Sequence, residues 1–267
     1  MRVVPHVVIF VILTMLTQIG GLVWIAAMMF ARAVGLKGRL AKITAFALLY
    51  AGAAIATTYA APRFGRIPLS CLTGERASLA VRSPLFCALN RNYVTPQMHK
   101  AAEAFATHLA MAYPGTKTIV LDANFPFING FPLLPHLSHA DGRKLDIAFY
   151  YVRGETYLPG ETRSPIGYFA FEQPRTGDSQ PCADRTDWLT LRWDFDLLQP
   201  LFPDYGIDEA RMAEALRWLT SEGERFDVEK IFVEPHIASS LGISHDRIRF
   251  QGCRAARHDD HIHFQVK

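Results

Sequence analysis

The sequence predicts an α+β fold, with a mainly antiparallel sheet and helices, preceded by two transmembrane helices. Three observations lead there. Two long uncharged runs crowd the first 62 residues, helix and strand patterns share the remainder, and those patterns do not alternate as regular βαβ units. The remainder of this 267-residue chain is long enough for one ordinary hydrophobic core. The expected organisation is a membrane anchor over 1–62, a juxtamembrane linker and entry segment over 63–94, and one folded domain over 95–267.

The anchor is read from hydropathy and charge. Val7 to Phe30 contains no charged residue, and Gln18 is its only strongly polar side chain, which predicts a span over about 7–30. A second uncharged run predicts a span over about 43–61. Between them lie Arg32, Lys37, Arg39 and Lys42 with no acid, so the positive-inside rule puts this loop in the cytoplasm and both chain ends outside. Arg2, Arg63 and Arg66 reduce that bias. Ala31-Arg32-Ala33 has the form of a leader cleavage site, but the preceding apolar run exceeds the usual h-region of about 7–15 residues, so retention as an anchor is favoured.

Residues 62–94, with Pro62, Pro68 and Pro84, read as linker. Thr95-Pro96 opens a helix that Pro114 stops. Thr116 to Asp122 is short and β-branched, predicting a strand, and a second strand is expected from Leu145 to Val152. Asp208 caps a helix with an apolar stripe of Met212, Ala215, Leu216 and Leu219, and Gly223 lies just past it. Val228 to Val233 and His261 to Val266 complete the strands. Trp188, Trp193 and Trp218 are expected in the core or in helix packing rather than as sugar platforms.

Formal net charge is +3, with basic residues scattered among acids, which argues against nucleic-acid binding. All four cysteines follow the second run, and none forms a C-x-x-C pair. An even count outside the cytoplasm points to disulfides. Three pairings are open; the closeness of Cys71 and Cys87 favours that pair first, with Cys182 and Cys253 following. Four buried thiols would be expected in a reducing compartment.

The chemistry concentrates in two stretches. His139 and Asp146 are separated by six residues, with an Asp-Gly turn between them. Leu145, Ile147 and Phe149 fall on one strand face, leaving Asp146 on the other, where a carboxylate can enter a cleft. The second stretch holds His258, His261 and His263, and strand alternation puts His261 and His263 opposite Ile262 and Phe264. Two imidazoles and one carboxylate form a common set for a catalytic zinc that keeps one position for water, and the remaining histidines can handle protons or an oxyanion.

Ser138-His139-x6-Asp146 and His258-Asp259-x-His261-x-His263 resemble the motifs of the LAS metallopeptidases, and most closely the penicillin-insensitive murein endopeptidases. The resemblance covers about residues 120–266, including Ile231 to Ile237 with Leu241, and does not reach the apolar runs. It implies an α+β zinc enzyme cutting the peptide part of peptidoglycan, with Zn2+ on His139, Asp146 and His263, and with His258 and His261 assisting catalysis. Ala255, Ala256 and Arg257 stand where those relatives commonly carry bulky aromatic residues, and the glutamate base of the carboxypeptidase branch is absent. The expected partners are therefore peptidoglycan peptides and a lipid bilayer, with the domain on the extracytoplasmic side. The competing reading is a non-catalytic zinc-stabilised binding or sensor domain at the membrane.

Other polar groups admit two readings. Asp122 and Asn124 could line the cleft or form an Asx turn. Arg143, Arg163 and Arg175 could each receive a substrate carboxylate or be solvated surface. His99, His108, His136, His236 and His245 have no comparable context in the sequence.

Overall fold

The computed structural model describes residues 3–72, 74, 77–185 and 189–267. Three apolar helices come first: α1 (Val3–Thr17), α2 (Gly20–Ala33) and α3 (Arg39–Ala60). The run expected as one span over 7–30 is therefore two helices. Gln18 breaks it: its backbone has φ 65°, and its side-chain oxygen accepts hydrogen bonds from the N–H groups of Phe127 and Ile128 at 2.9 and 3.3 Å. A polar group that would be costly amid lipid is satisfied at a turn against the domain. The second helix then folds back along the first, bringing the rings of His6 and Trp24 to 5.7 Å. Gly21 permits that approach, because a Cβ there would lie 2.6 Å from the Phe10 carbonyl oxygen. Among the described residues, one helical stretch, Arg39–Phe64, is long and apolar enough to cross a membrane.

The segment 63–94 is built into the fold rather than being only a linker. It holds β1 (Ile67–Pro68), β2 (Leu79–Val81), α4 (Pro84–Ala88) and β3 (Tyr93–Val94), and the Cys71–Cys87 disulfide closes it. Next comes α5 (Pro96–Ala112), begun by Thr95, whose hydroxyl accepts from the Met98 N–H. The strands β4 (Thr118–Val120), β5 (Lys144–Ala148), β6 (Tyr151–Arg153), β7 (Thr156–Tyr157) and β8 (Gly206–Ile207) follow. Then come α6 (Glu209–Thr220), capped by Asp208, β9 (Val228–Phe232), α7 (Pro235–Ser240), β10 (Ile248–Arg249) and β11 (His261–Val266).

The architecture is α+β. A six-stranded sheet has the order β10-β9-β11-β5-β4-β2. Its central pairs are antiparallel and its two outermost pairs are parallel, so the sheet is mixed. Two small antiparallel sheets, β1-β3 and β7-β6-β8, flank it. The strand expected over 145–152 is split, with β5 in the main sheet and β6 in a small one. Phe149 and Tyr150 at the break remain buried, since packing continues where the ladder does not.

Leu145, Ile147, Ile262 and Phe264 face α5 and α6 and form the centre of the core. Phe105 on α5 stands 5.4 Å from Trp218 on α6 and 6.2 Å from Phe264, ring centre to ring centre, locking helices to sheet. Trp218 is buried as expected, whereas Trp193 is 41% exposed and is not core. Trp188 lies outside the described residues. The second disulfide joins Cys182 to Cys253, giving both expected pairs.

Candidate metal centre

Strands β5 and β11 are antiparallel neighbours in a register that sets His263 opposite Asp146 and Ile262 opposite Ile147. Because side chains alternate, the ladder that turns Ile147 and Ile262 into the core turns Asp146, His261 and His263 to the other face. The connection from β4 to β5 adds His136 and His139, and the segment before β11 adds His258. All are buried, from 0% exposure for His139 and Asp146 to 8% for His136.

His139 Nε2, Asp146 Oδ1 and His263 Nδ1 converge at mutual separations of 2.8, 3.0 and 3.1 Å. Ligand atoms at zinc distances of about 2.0–2.1 Å stand about 3.3 Å apart in a tetrahedron, so this triangle fits one small cation with modest expansion. A wider group of His136, His139 and Asp146 has its ligand atoms within 4.8 Å of one another. The two groups share His139 and Asp146. The first is the more compact, and His136 Nδ1 in the second is shared between two carboxylates, 3.1 Å from Asp146 Oδ2 and 3.3 Å from Asp122 Oδ2. The buried His136–His139–Asp146 group could hold a metal ion, and His263 adjoins it.

The surroundings prepare the ligands. His139 Nδ1 donates to the Ala123 carbonyl at 2.6 Å, leaving Nε2 as the free lone pair. Gln265 sits 3.0 Å from His263 Nε2, and metal on Nδ1 calls for the amide orientation in which the glutamine oxygen accepts from Nε2–H. Tyr168 donates to Asp146 Oδ2 at 2.7 Å, and its ring stands edge-on to His136 and His261 at 4.7 and 5.0 Å. Arg91 forks onto Asp122, which in turn faces His136.

Charge is divided within the cluster. Burial alone would raise the Asp146 pKa, but His139, His261 and His136 hold it well below the usual carboxylate range. Burial opposes the protonated form of His136, yet Asp146 and Asp122 outweigh it and push the pKa up to about 9. His261 is raised against its burial by Asp146 and Asp260. Burial, reinforced by His261 and His263, drives His258 well below the ordinary value. Burial also dominates at His263, lowering it to about 4 in the metal-free protein and leaving the ring neutral, as a ligand must be.

Among the described residues His258 Nδ1 makes no hydrogen bond, and His261 Nε2 makes none but lies 3.6 Å from Asp146 Oδ2. Leaving a buried imidazole nitrogen unmatched costs about 1–3 kcal/mol, and the His258 ring stands 4.8 Å from His261 and 5.5 Å from His263. The other ring nitrogen of His261 is fixed by Asp260, which also receives the Phe169 N–H. A cavity of about 20 Å³ opens beside His136, His261 and Tyr168, roofed by Leu191 and Trp193 and walled by Ala256 and Arg257. It has room for about one water. The roof is tied down by Cys182–Cys253 and by the Leu191 N–H donating to the Arg254 carbonyl at 2.9 Å.

All five residues singled out from sequence, His139, Asp146, His258, His261 and His263, meet here. His136, Tyr168, Arg91 and Asp260 join them without having been singled out. For His136 the spacing His136-x-x-His139 was an available signal; the others have none in the sequence. Asp122 belongs to the cluster, whereas Asn124 serves a turn, accepting from the Gly142 N–H. Arg163 pairs with Glu172 and Arg175 with Glu209, while Arg143 lies exposed. No family model matches the chain, and no curated protein matches it.

Proposed function

We propose that the chain is a membrane-anchored, zinc-dependent peptidase acting on the peptide part of peptidoglycan. The observation that carries the metal is the triangle of His139, Asp146 and His263. The reaction is supported by the two unmatched imidazole nitrogens beside it, which a purely structural ion would not require. The peptidoglycan substrate is supported by the motif resemblance. The two disulfides fit an oxidising compartment, and α3 with the α1–α2 hairpin supplies the anchor.

His139, Asp146 and His263 would hold the zinc, which when bound would lower the pKa of a water toward about 7 and polarise a scissile carbonyl. His258, kept neutral, takes a proton at Nδ1. His261, oriented by Asp260 and with its pKa raised by Asp146 and Asp260, would present Nε2–H to the developing oxyanion or to the leaving amine. Asp146 holds its charge through its histidine neighbours and Tyr168, so it remains a ligand rather than a base.

A second reading is favoured by the cavity, which at about 20 Å³ admits no peptide. If the roof of Leu191 and Trp193 never lifts, the domain is a non-catalytic zinc-stabilised module. The full-length protein, with zinc content measured, is incubated with cross-linked muropeptides and the products are read by mass spectrometry. New amine and carboxyl ends that vanish on chelation are expected. Fully metallated protein that leaves every muropeptide intact would select the non-catalytic reading.

A further inference from the structure

The apolar helices do not hang free of the domain. Their turn grips the same connection that carries His136 and His139. Besides accepting from Phe127 and Ile128, Gln18 donates from Nε2 to the Ile128 carbonyl at 3.5 Å. Asn90 donates to the Thr17 carbonyl and to the Tyr50 hydroxyl at 3.3 and 3.1 Å, and Tyr50 donates to the Ala88 carbonyl at 2.6 Å, so α3 passes the domain at the same level as the turn. Phe64, just beyond α3, meets Phe127 at 4.9 Å between ring centres, and Arg66 is hydrogen-bonded to Asn129. The connection then doubles back, the Gly130 N–H donating to the carbonyl of Ala140, the neighbour of His139, at 2.7 Å. With about 3.8 Å per residue along this path, His139 lies within on the order of 20 Å of the turn.

The far end of the hairpin has a different chemistry. There His6 and Val7 share a groove with Met28, Met29 and Arg32, and Lys37, Arg39 and Lys42 follow within a few residues. Basic side chains suit an anionic headgroup layer. The 15- and 14-residue helices between the two ends are about 22 and 21 Å long. A hydrocarbon core is about 30 Å thick, so short spans draw their flanking parts into the membrane or thin it locally. At the near end the flanking part is the ligand-bearing connection, and it exposes Ile128 by 59% and Leu137 by 48%. Isolated exposed apolar residues are ordinary. Ile128 sits at the turn of the helices, whose Val8, Ile12 and Leu16 are likewise open, and Leu137 lies farther along the same connection.

We infer that the connection bearing His136 and His139 rests in the headgroup boundary of the bilayer, so that the metal centre takes a peptide tethered to a lipid rather than one free in solution. The substrate half of this inference rests on the peptidase reading; the placement half does not. No free thiol exists in the chain, so one introduced cysteine takes a label cleanly. Ile128→Cys, Leu137→Cys and, as control, Met111→Cys are labelled with an environment-sensitive fluorophore. Met111 is 71% exposed on α5, across the sheet from the metal centre. In full-length protein in phosphatidylethanolamine–phosphatidylglycerol vesicles, brominated lipid should quench positions 128 and 137 at least twofold more than position 111. Equal quenching at all three overturns the placement. In the same vesicles, a lipid-tethered muropeptide should be cleaved at least tenfold faster than the released one, and Ile128→Asp should lower only the tethered rate. Equal rates overturn the tethered-substrate half. Cleavage of neither removes the peptidase reading and that half with it, while the quenching still decides where the connection lies.

Discussion

The two faces of the β5–β11 ladder are built from alternate residues of the same strands, and both are buried. On one, Leu145, Ile147, Ile262 and Phe264 pack under α5 and α6 and need no partners. On the other, Asp146, His261, His263 and Gln265 need every partner they have, and two nearby imidazole nitrogens have none. The apolar face is where stability comes from, since burial there is compensated by nothing but contact. The polar face is where stability has been given up. A buried charge cluster is held only by its mutual hydrogen bonds, and it is retained for what it can bind.

Substitutions on the two faces should separate these roles. The largest effect is expected for His263→Ala, which should abolish stoichiometric zinc and lower cleavage by on the order of 10⁴-fold, at a cost of about 1–3 kcal/mol to the metal-free fold through the hydrogen bond lost to Asp146. Retention of full zinc occupancy would show that the triangle is misassigned. Phe264→Ala, one residue along, should do the opposite. A cavity there costs about 3–5 kcal/mol in denaturant unfolding, with zinc still bound by the folded fraction. His261→Ala should keep zinc and lose roughly a hundredfold in rate, because it removes a proton-handling group and no ligand. Tyr168→Phe should weaken zinc by about tenfold, through the hydrogen bond it withdraws from Asp146.

The smallest perturbation is pH. The His136 pKa is raised from 6.5 to about 9 on folding, so its contribution to the metal-free fold is fully present below about 6.5 and is lost as pH rises through about 9. Chelated protein in detergent should therefore need less urea to unfold at pH 9.5 than at pH 6. His136→Gln should flatten that difference, and an unchanged slope would mean that His136 titrates as it does unfolded.

Much of this was legible in the residues, for a local reason. The alternation His261-Ile262-His263-Phe264 declares both strand and phase, and His139-x6-Asp146 brackets a turn that brings His139 and Asp146 together. Thr95 and Asp208 announce their helices by capping chemistry that acts within three residues. What could not be read depends on distant partners. Hydropathy averages over Gln18, whose turn is fixed by groups about 110 residues away. Nothing between Leu145 and Val152 signals the change of sheet at Phe149, because Ile147 to Val152 is an unbroken apolar and aromatic run with no turn residue. The charge on His136 depends on Asp122, just past β4, and Asp146 on β5, which close on it only in the fold.

The register that sets His263 against Asp146 also has a consequence in time. His263 is 117 residues from Asp146 and 124 from His139, and contacts of such separation form only after a long stretch of chain has found its place. An incompletely folded chain holds scattered histidines but no convergent triangle. Any ion that the triangle holds would therefore be captured only with the completed fold.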